Sequence, residues 1–460
     1  MPKKSLLFLS AAALAIPTHG AAAQAITEEQ AAALLDRLNQ LEAEVKSLRS
    51  QLNNVRTSQA SQAEAVSAVA EQVAATDEKL AAANTEKVTW KGAPQISTSS
   101  GWSFKPRGRL QYDAGTVNAP GSIVDNGLGF QSEIRRARLG VQGDIPGGFG
   151  YKFEVDVADN EVVVTDAVLT YKDGAAKFTV GQHNNFQSFE ELTSSLHISF
   201  LERAAFTDAF GFQRRVGVSG EYKSGDFLAQ GGVFTSNFDD LSSDEANAIG
   251  LDGRVVFMPK TGDTQWHLGG SVHWRDMNDQ SGAMRYRQRP AIHTTDTRFI
   301  NTGNFTVTRE TSYGLEAAVL SGPLHVAGEA HWLKATRPGG LANPTFFGGY
   351  VEAGYFFTKG DSRGYKSGKF DRVKPNAAVG DGGAGALQAN VRFDYLDLSD
   401  AGIIGGTQNA YQASLIWTPA DYVRFMLNYS HIEYDNAAVS AASGNNYTVD
   451  VFGARAQVDF

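Results

Sequence analysis

Residues 285–290 read RYRQRP: Arg285, Arg287 and Arg289 alternate with Tyr286 and Gln288, and no carboxylate lies within five residues on either side. Alternate side chains of an extended chain share a face, so three guanidiniums would stand in one row. The guanidinium fork bonds two oxygens of a phosphate at once, stays charged, and sheds water more readily than ammonium. From Met284 to Arg309 the chain sets five arginines (Arg285, Arg287, Arg289, Arg298, Arg309) against one acid, Asp296. Such a cluster suits stepwise passage of oxyanions, with sites favourable enough to enter and weak enough to leave. The plainer reading is a loop braced by carboxylates such as Glu154, Asp156 and Glu316.

Other reactive residue types give weaker patterns. Ser194, Ser195 and His197 in TSSLHIS could supply a nucleophile and a base, but no third group is placed to orient the histidine. His267 and His273 alternate along one extended stretch, which separates them by ~20 Å, too far for one metal ion. The chain has no cysteine, which excludes disulfides and thiolate metal sites. No enzyme activity, metal or cofactor is expected.

The elements that must position the arginine row fall into two parts after a targeting segment. Lys3 and Lys4, the apolar run Ser5–Ile16 and the small residues Ala21 and Ala23 form a secretory signal over 1–23. The net charge of −9 becomes −11 when Lys3 and Lys4 leave, which argues against nucleic acid as a partner. Residues 28–87 contain no glycine or proline. There Leu34, Leu38, Leu41, Val45, Leu48, Leu52 and Val55 recur at spacings of four and three, and the register continues through Gln59, Gln62, Val66, Val69, Val73, Thr76 and Leu80. That reads as the seam of an α-helical coiled coil, and hence of an oligomer; the plainer reading is a single amphipathic helix docked elsewhere.

Residues 88–106 read as a linker, and from 107 to 460 the period becomes two. In GYKFEVDV, Tyr151, Phe153, Val155 and Val157 alternate with Lys152, Glu154 and Asp156. ALQANVRFDYLDL and DYVRFMLNYS repeat the pattern. The apolar face carries aromatics at strand ends (Tyr151, Trp266, Trp274, Tyr395, Trp417, Tyr429) and the other face is charged. Short turns such as GDIPGG, KSGD and TPAD separate much longer loops. These features predict a transmembrane β-barrel with aromatic girdles and a wet lumen. Counting from Arg107 gives seventeen extended stretches. RYRQRP is the poorest, because Tyr286 and Gln288 make no lipid surface and Pro290 cuts it short. Removing it leaves an even sixteen, with the third long loop near 183–214 and the fifth near 275–310.

The stretches IRRARLGVQGDIPGGFGYKFEVDVADNEVVVTDAVLTYK, FTVGQHNNFQSFEELTSSLHISFLERA, RRVGVSGEY and MRYRQRPAIHTTDTRFINTG, with the terminal Phe460, resemble the phosphate-selective porin O/P family over roughly residues 100–460. The resemblance implies a homotrimeric, sixteen-stranded antiparallel barrel in the bacterial outer membrane, contacting its lipid. The coiled coil then lies in the periplasm, and a separate structural reading makes it a tether toward peptidoglycan. It implies a channel for small inorganic anions of the phosphate and polyphosphate type, led by arginines to a constriction made by the third loop. The matching positions are Arg285, Arg287, Arg289 and Arg309, with Arg136 and Arg138 in IRRARLG and Asp166 in TDAVLTY. Arg298 belongs to the same arginine-rich stretch, and the third loop supplies Arg203 and Arg214. The chain departs from the family pattern in one respect: no lysine lies between Lys177 and Lys223.

Overall fold

A computed structural model describes residues 28–82, 86–242, 248–278 and 283–460. The signal sequence expected over 1–23 lies outside these. The chain divides into two compact units, Met1–Asn84 and Thr85–Phe460. In the first, one helix of 55 residues runs unbroken from Glu28 to Ala82. Its seam residues are exposed in the single chain, Leu48 at 62 % and Val66 at 69 %.

The helix is shorter than the span 28–87, and the expected linker is not one. Glu86–Lys91 and Ala93–Thr98 pair as an antiparallel hairpin. Val88, Thr89 and Trp90 suit an extended chain better than a helix, and Gly92, at φ 79°, makes the turn.

Sixteen strands follow. The first eight are β1 Ser103–Asn118, β2 Gly129–Ile145, β3 Phe149–Asp156, β4 Val163–Asp173, β5 Ala176–Asn184, β6 Arg214–Ser224, β7 Phe227–Phe234 and β8 Ile249–Phe257. The rest are β9 Thr264–Asp276, β10 Arg309–Ser321, β11 Leu324–Thr336, β12 Thr345–Phe356, β13 Ala386–Asp400, β14 Ile403–Ala420, β15 Val423–Asp435 and β16 Tyr447–Asp459. Each pairs antiparallel with the next, and β16 returns to β1 from Asp459↔Arg109 to Asp450↔Asn118. The barrel is closed. Phe460 completes the seam by exchanging backbone hydrogen bonds with Gly108 at 3.0 and 3.1 Å. Gly108 must lack a side chain, because a Cβ there would lie 2.0 Å from the Phe460 ring.

Strand alternation sorts the two faces as the period predicts. On β10, Glu310, Ser312 and Glu316 are buried inside while Tyr313 and Leu315 are exposed outside. An even strand count brings both ends of the barrel to one rim, called here the terminal rim. Connections there are short at 146–148, 174–175, 225–226, 322–323 and 421–422, and those of the far rim are mostly longer. Two connections break the expected alternation. β13 and β14 meet at the far rim through Ala401 and Gly402 alone, both at positive φ (50° and 82°) as a primed two-residue turn requires. On the terminal rim, residues 357–385 form a long loop between β12 and β13.

Candidate functional site

Loop 3, residues 185–213, folds into the barrel and is fastened to the inner wall by charged side chains. Ser188, at φ 65°, turns the chain into the short helix Phe189–Leu192 and accepts the Glu191 N–H on its Oγ at 3.1 Å. The N–H groups of Phe189 and Glu190 donate to the Glu329 carboxylate of β11 at 2.8 and 2.7 Å. Further along, Arg424 of β15 donates to the carbonyls of Leu196 and Ile198 at 3.0 and 2.7 Å, and Asp394 of β13 accepts the Ala205 N–H at 2.9 Å. Arg392 of β13 bonds both Glu190 and Glu352 and lies 4.3 Å from the Phe200 ring centre and 4.5 Å from that of Tyr350. Breaking one member of such a buried pair costs about 3–5 kcal/mol. Apolar contacts fill the remaining interface: Phe206 stacks on His331 at 4.5 Å, and Phe189 meets His267 at 4.7 Å.

The terminal-rim loop comes to meet it. Gly364–Tyr365 and Phe370–Asp371 pair as a narrow hairpin. Its Phe370 ring sits 4.7 Å from Phe189, and the Phe370 N–H donates to Thr193 Oγ1 at 3.3 Å. Arg363 donates to the His197 carbonyl while lying over Phe370 at 4.3 Å. Gly368 and Tyr365 bind the wall through Arg254 and His267, each at 2.7 Å. Loops from opposite rims thus touch inside the lumen, on the side lined by β9–β13.

Two cavities lie on the side of β1–β6. The first, about 430 Å³, opens toward the far rim, where Arg289 and His293 of loop 5 (residues 277–308) and Asn237 line it. The second, about 390 Å³, opens toward the terminal rim, beside Arg107, Lys177, Glu221 and Lys369. Arg136, Arg138, Arg203 and Arg214 line both, so four guanidiniums stand between them. The second cavity carries nine basic side chains (six arginines and three lysines) against three acids, Glu154, Asp166 and Glu221.

Each of the four is held by its own partners. Arg136 donates to Gln111 at 2.9 Å, and Arg138 pairs with Asp156 at 2.7 Å and Glu154 at 3.5 Å. Arg203 caps loop 3 from within, bonding the carbonyls of Glu190, Glu191 and Thr193 at 2.9–3.1 Å. Arg214 reaches Asp166 at 3.3 Å, and Lys152 reaches the same carboxylate at 2.7 Å. On loop 3, burial pushes the Glu202 carboxyl up, but Arg135, Arg136 and Arg455 outweigh it and hold the group well below the usual carboxylate range. Arg135 bonds it at 2.8 Å.

The structure therefore brings together Arg136, Arg138, Arg203, Arg214 and Asp166, with Arg289 at the edge of the first cavity. The RYRQRP row lies in loop 5. Tyr286 and Gln288 turn to the wall, bonding Glu310 at 2.6 Å and Gln408, while the arginines face the other way. Arg289 pairs with Asp296 at 2.6 Å, and its N–H donates to Asp208 of loop 3 at 2.9 Å. The Arg287 guanidinium is lowered first by burial and next by Arg285 beside it. Burial also lowers Arg298, to about 10, and its buried Nε and Nη1 have no hydrogen-bond partner among the described residues. Glu154, Asp156 and Glu316 do not brace this row: the first two pair with Arg138, and Glu316 with Arg254 at 2.7 Å.

Arg309 does not belong with the others. As the first residue of β10 it shares the face of Tyr313 and Leu315, so it points out of the barrel, pairing with Asp276 at 3.2 Å and lying 5.5 Å from the Trp274 ring centre. Sequence reasoning also missed Arg107, Arg109, Lys152, Lys177 and Lys369. KPRGR at 105–109 repeats the alternation of RYRQRP, and that signal would have found the first two. Ser195 is engaged by Arg109 at 2.7 Å, while His197 faces Asp371 at 3.7 Å.

Comparison with known proteins adds the relatives. An uncharacterized protein of Caulobacter vibrioides is 45% identical over 471 residues, covering 98% of this chain and 95% of that one. Among solved structures, the trimer form of OmpT, an outer membrane protein of Vibrio cholerae, superposes with a TM-score of 0.51 at 12% identity, covering 78% of this chain and 100% of that chain. Another form of OmpT, folded in vitro, gives 0.50 at 11%, covering 79% and 99%. At such identities the likeness is one of fold. The model of the family described as phosphate-selective porin O and P matches residues 104–460, and the chain belongs to that family.

Proposed function

We propose that this outer-membrane porin is an anion-selective channel for phosphate-type oxyanions, and that the four arginines between its two cavities are the selective passage. The observation that carries the reading is that Arg136, Arg138, Arg203 and Arg214 face both cavities at once. An anion crossing there exchanges one guanidinium for the next without returning to bulk water, in a site whose low dielectric strengthens each contact. Arg285, Arg287, Arg289 and Arg298 gather anions on the far side. Lys152, Lys177 and Lys369 receive them on the terminal side, which supplies ammonium groups that loop 3 lacks. The barrel works as a homotrimer in which the heptad helix is a periplasmic coiled coil, with peptidoglycan as its further contact.

The test is the reversal potential of purified protein in a planar bilayer under a salt gradient. Wild type should prefer anions. Changing Arg203 and Arg214 together to glutamine should lower the anion-to-cation permeability ratio severalfold. Retention of the wild-type ratio would sink the proposal.

A further inference from the structure

Arg309 points out of the barrel, and its surroundings on the outer wall give it a use there. Thr311 of β10 pairs with Lys334 of β11, so Arg309 and Lys334 are diagonal neighbours on the outward face, about 7–8 Å apart and within mutual reach of long side chains. Lys334 is exposed and, among the described residues, makes no ion pair or hydrogen bond. Arg309 stays half exposed beside its partner Asp276. Near the same far rim, the outward positions of β13, β15 and β16 carry acids instead: Asp397, Glu433, Asp435 and Asp450. An anion held against the outer wall is therefore drawn to β10–β11 and repelled from β13–β16.

Beneath the basic pair the wall changes character. Tyr313 pairs with Trp332 in the aromatic girdle. Past that girdle the outward side chains become small at Ala317, Val326 and Gly328, which leaves an apolar groove of about 700 Å³ edged by the exposed Leu268, Leu315 and Val351. Gly328 lies six residues from Lys334 on β11, which is ~20 Å along the strand and ~15 Å in depth at the usual tilt. That is half of a hydrocarbon core of ~30 Å, the depth of one leaflet. The far rim carries most of the longer connections, and in outer-membrane barrels that rim faces the exterior. We propose that the outer wall of β9–β12 binds one anionic lipid of the outer leaflet, with its headgroup oxyanion between Arg309 and Lys334 and an acyl chain in the groove. Charge selects the headgroup, and the recess surrounds the chain with more dispersion contacts than a smooth wall offers. The site stands outside the barrel, so it holds or fails independently of anion selectivity.

The test titrates full-length protein in a non-ionic detergent with dimyristoylphosphatidylglycerol or dimyristoylphosphatidylcholine and counts bound lipid by native mass measurement. The two lipids share their chains and differ in charge. Wild type should bind the anionic lipid about tenfold more tightly, as two basic groups at a membrane surface allow. Changing Arg309 and Lys334 together to glutamine should bring it to the level of the zwitterionic lipid. Ala317→Leu fills the groove and should weaken both lipids severalfold, while Ala413→Leu, on the outward face of β14, should weaken neither. Asp276→Asn releases Arg309 from its carboxylate and should tighten the anionic lipid, a gain that no folding defect can imitate. Equal binding of the two lipids by wild type would overturn the proposal and leave that wall with unselected boundary lipid. Wild-type affinity in the double variant or in Ala317→Leu would overturn it as well.

Discussion

At the scale of residues, what separates an arginine inside the barrel from one outside it is which face of its strand it occupies. Arg309 and Arg214 both begin strands, yet Arg214 points in, toward Asp166, and Arg309 points out, over Trp274. Arg309→Ala should therefore leave permeability ratios within about 20 % of wild type, measured by reversal potential. It is a better control than any inward arginine tied to loop 3, such as Arg392. Asp166 is the counterpart. It pairs with Arg214 and Lys152, so under the proposed function Asp166→Asn should raise the preference for anions and slow their exit, seen as lower conductance at high salt. Unchanged selectivity in Asp166→Asn would show that the carboxylate lies off the path. The alternation in RYRQRP was legible in the sequence because it is a local property. The direction of Arg309 was legible too, from Glu310 and Glu316 on the opposite parity, once β10 had been read as starting there.

At the scale of elements, sixteen strands and two long far-rim loops follow from hydrophobic period and turn spacing. The terminal-rim loop 357–385 does not, because nothing in its own sequence says that it folds inward; that depends on Arg254, His267 and Phe189 arriving from elsewhere. Its contact with loop 3 carries a pH dependence. The His197 ring is lowered well below its ordinary value by burial, then by Arg372, Arg424 and Arg363. The contact is thus fully stable above the free imidazole pKa of about 6.5 and weakens as pH falls below it, since the released loop binds the extra proton. Lowering the pH from 7.5 to 5 should increase open-channel noise, and His197→Asn should abolish that increase. Equal noise at both pH values in wild type would rule the coupling out. Replacing 365–370 by two glycines should remove that contact from the lumen and raise single-channel conductance by about half or more; an unchanged conductance would mean that the loop plugs nothing that ions use.

At the scale of the whole molecule, the helix and the barrel are separate compact units with different reasons to persist. The barrel closes its own hydrogen bonds through β16 and β1, leaving no free edge among its sixteen strands. The helix has no such closure, since its seam is exposed along its length in a single copy, and isolated helices draw most of their stability in proteins from packing. The helix was legible because a run without glycine or proline keeps one apolar period over about seven repeats. The number of copies was not, because it is set by side-chain packing between helices, which the spacing of the apolar residues does not fix. These differences predict an asymmetric outcome for removing residues 28–82 from the mature protein. The barrel should still fold and conduct, with β-rich circular dichroism and unchanged single-channel conductance. The trimer should dissociate at a lower temperature, because barrel contacts then act without the helix. Loss of conductance in the shortened protein would show that the helix is needed for barrel assembly, and an unchanged dissociation temperature would show that the seam joins nothing.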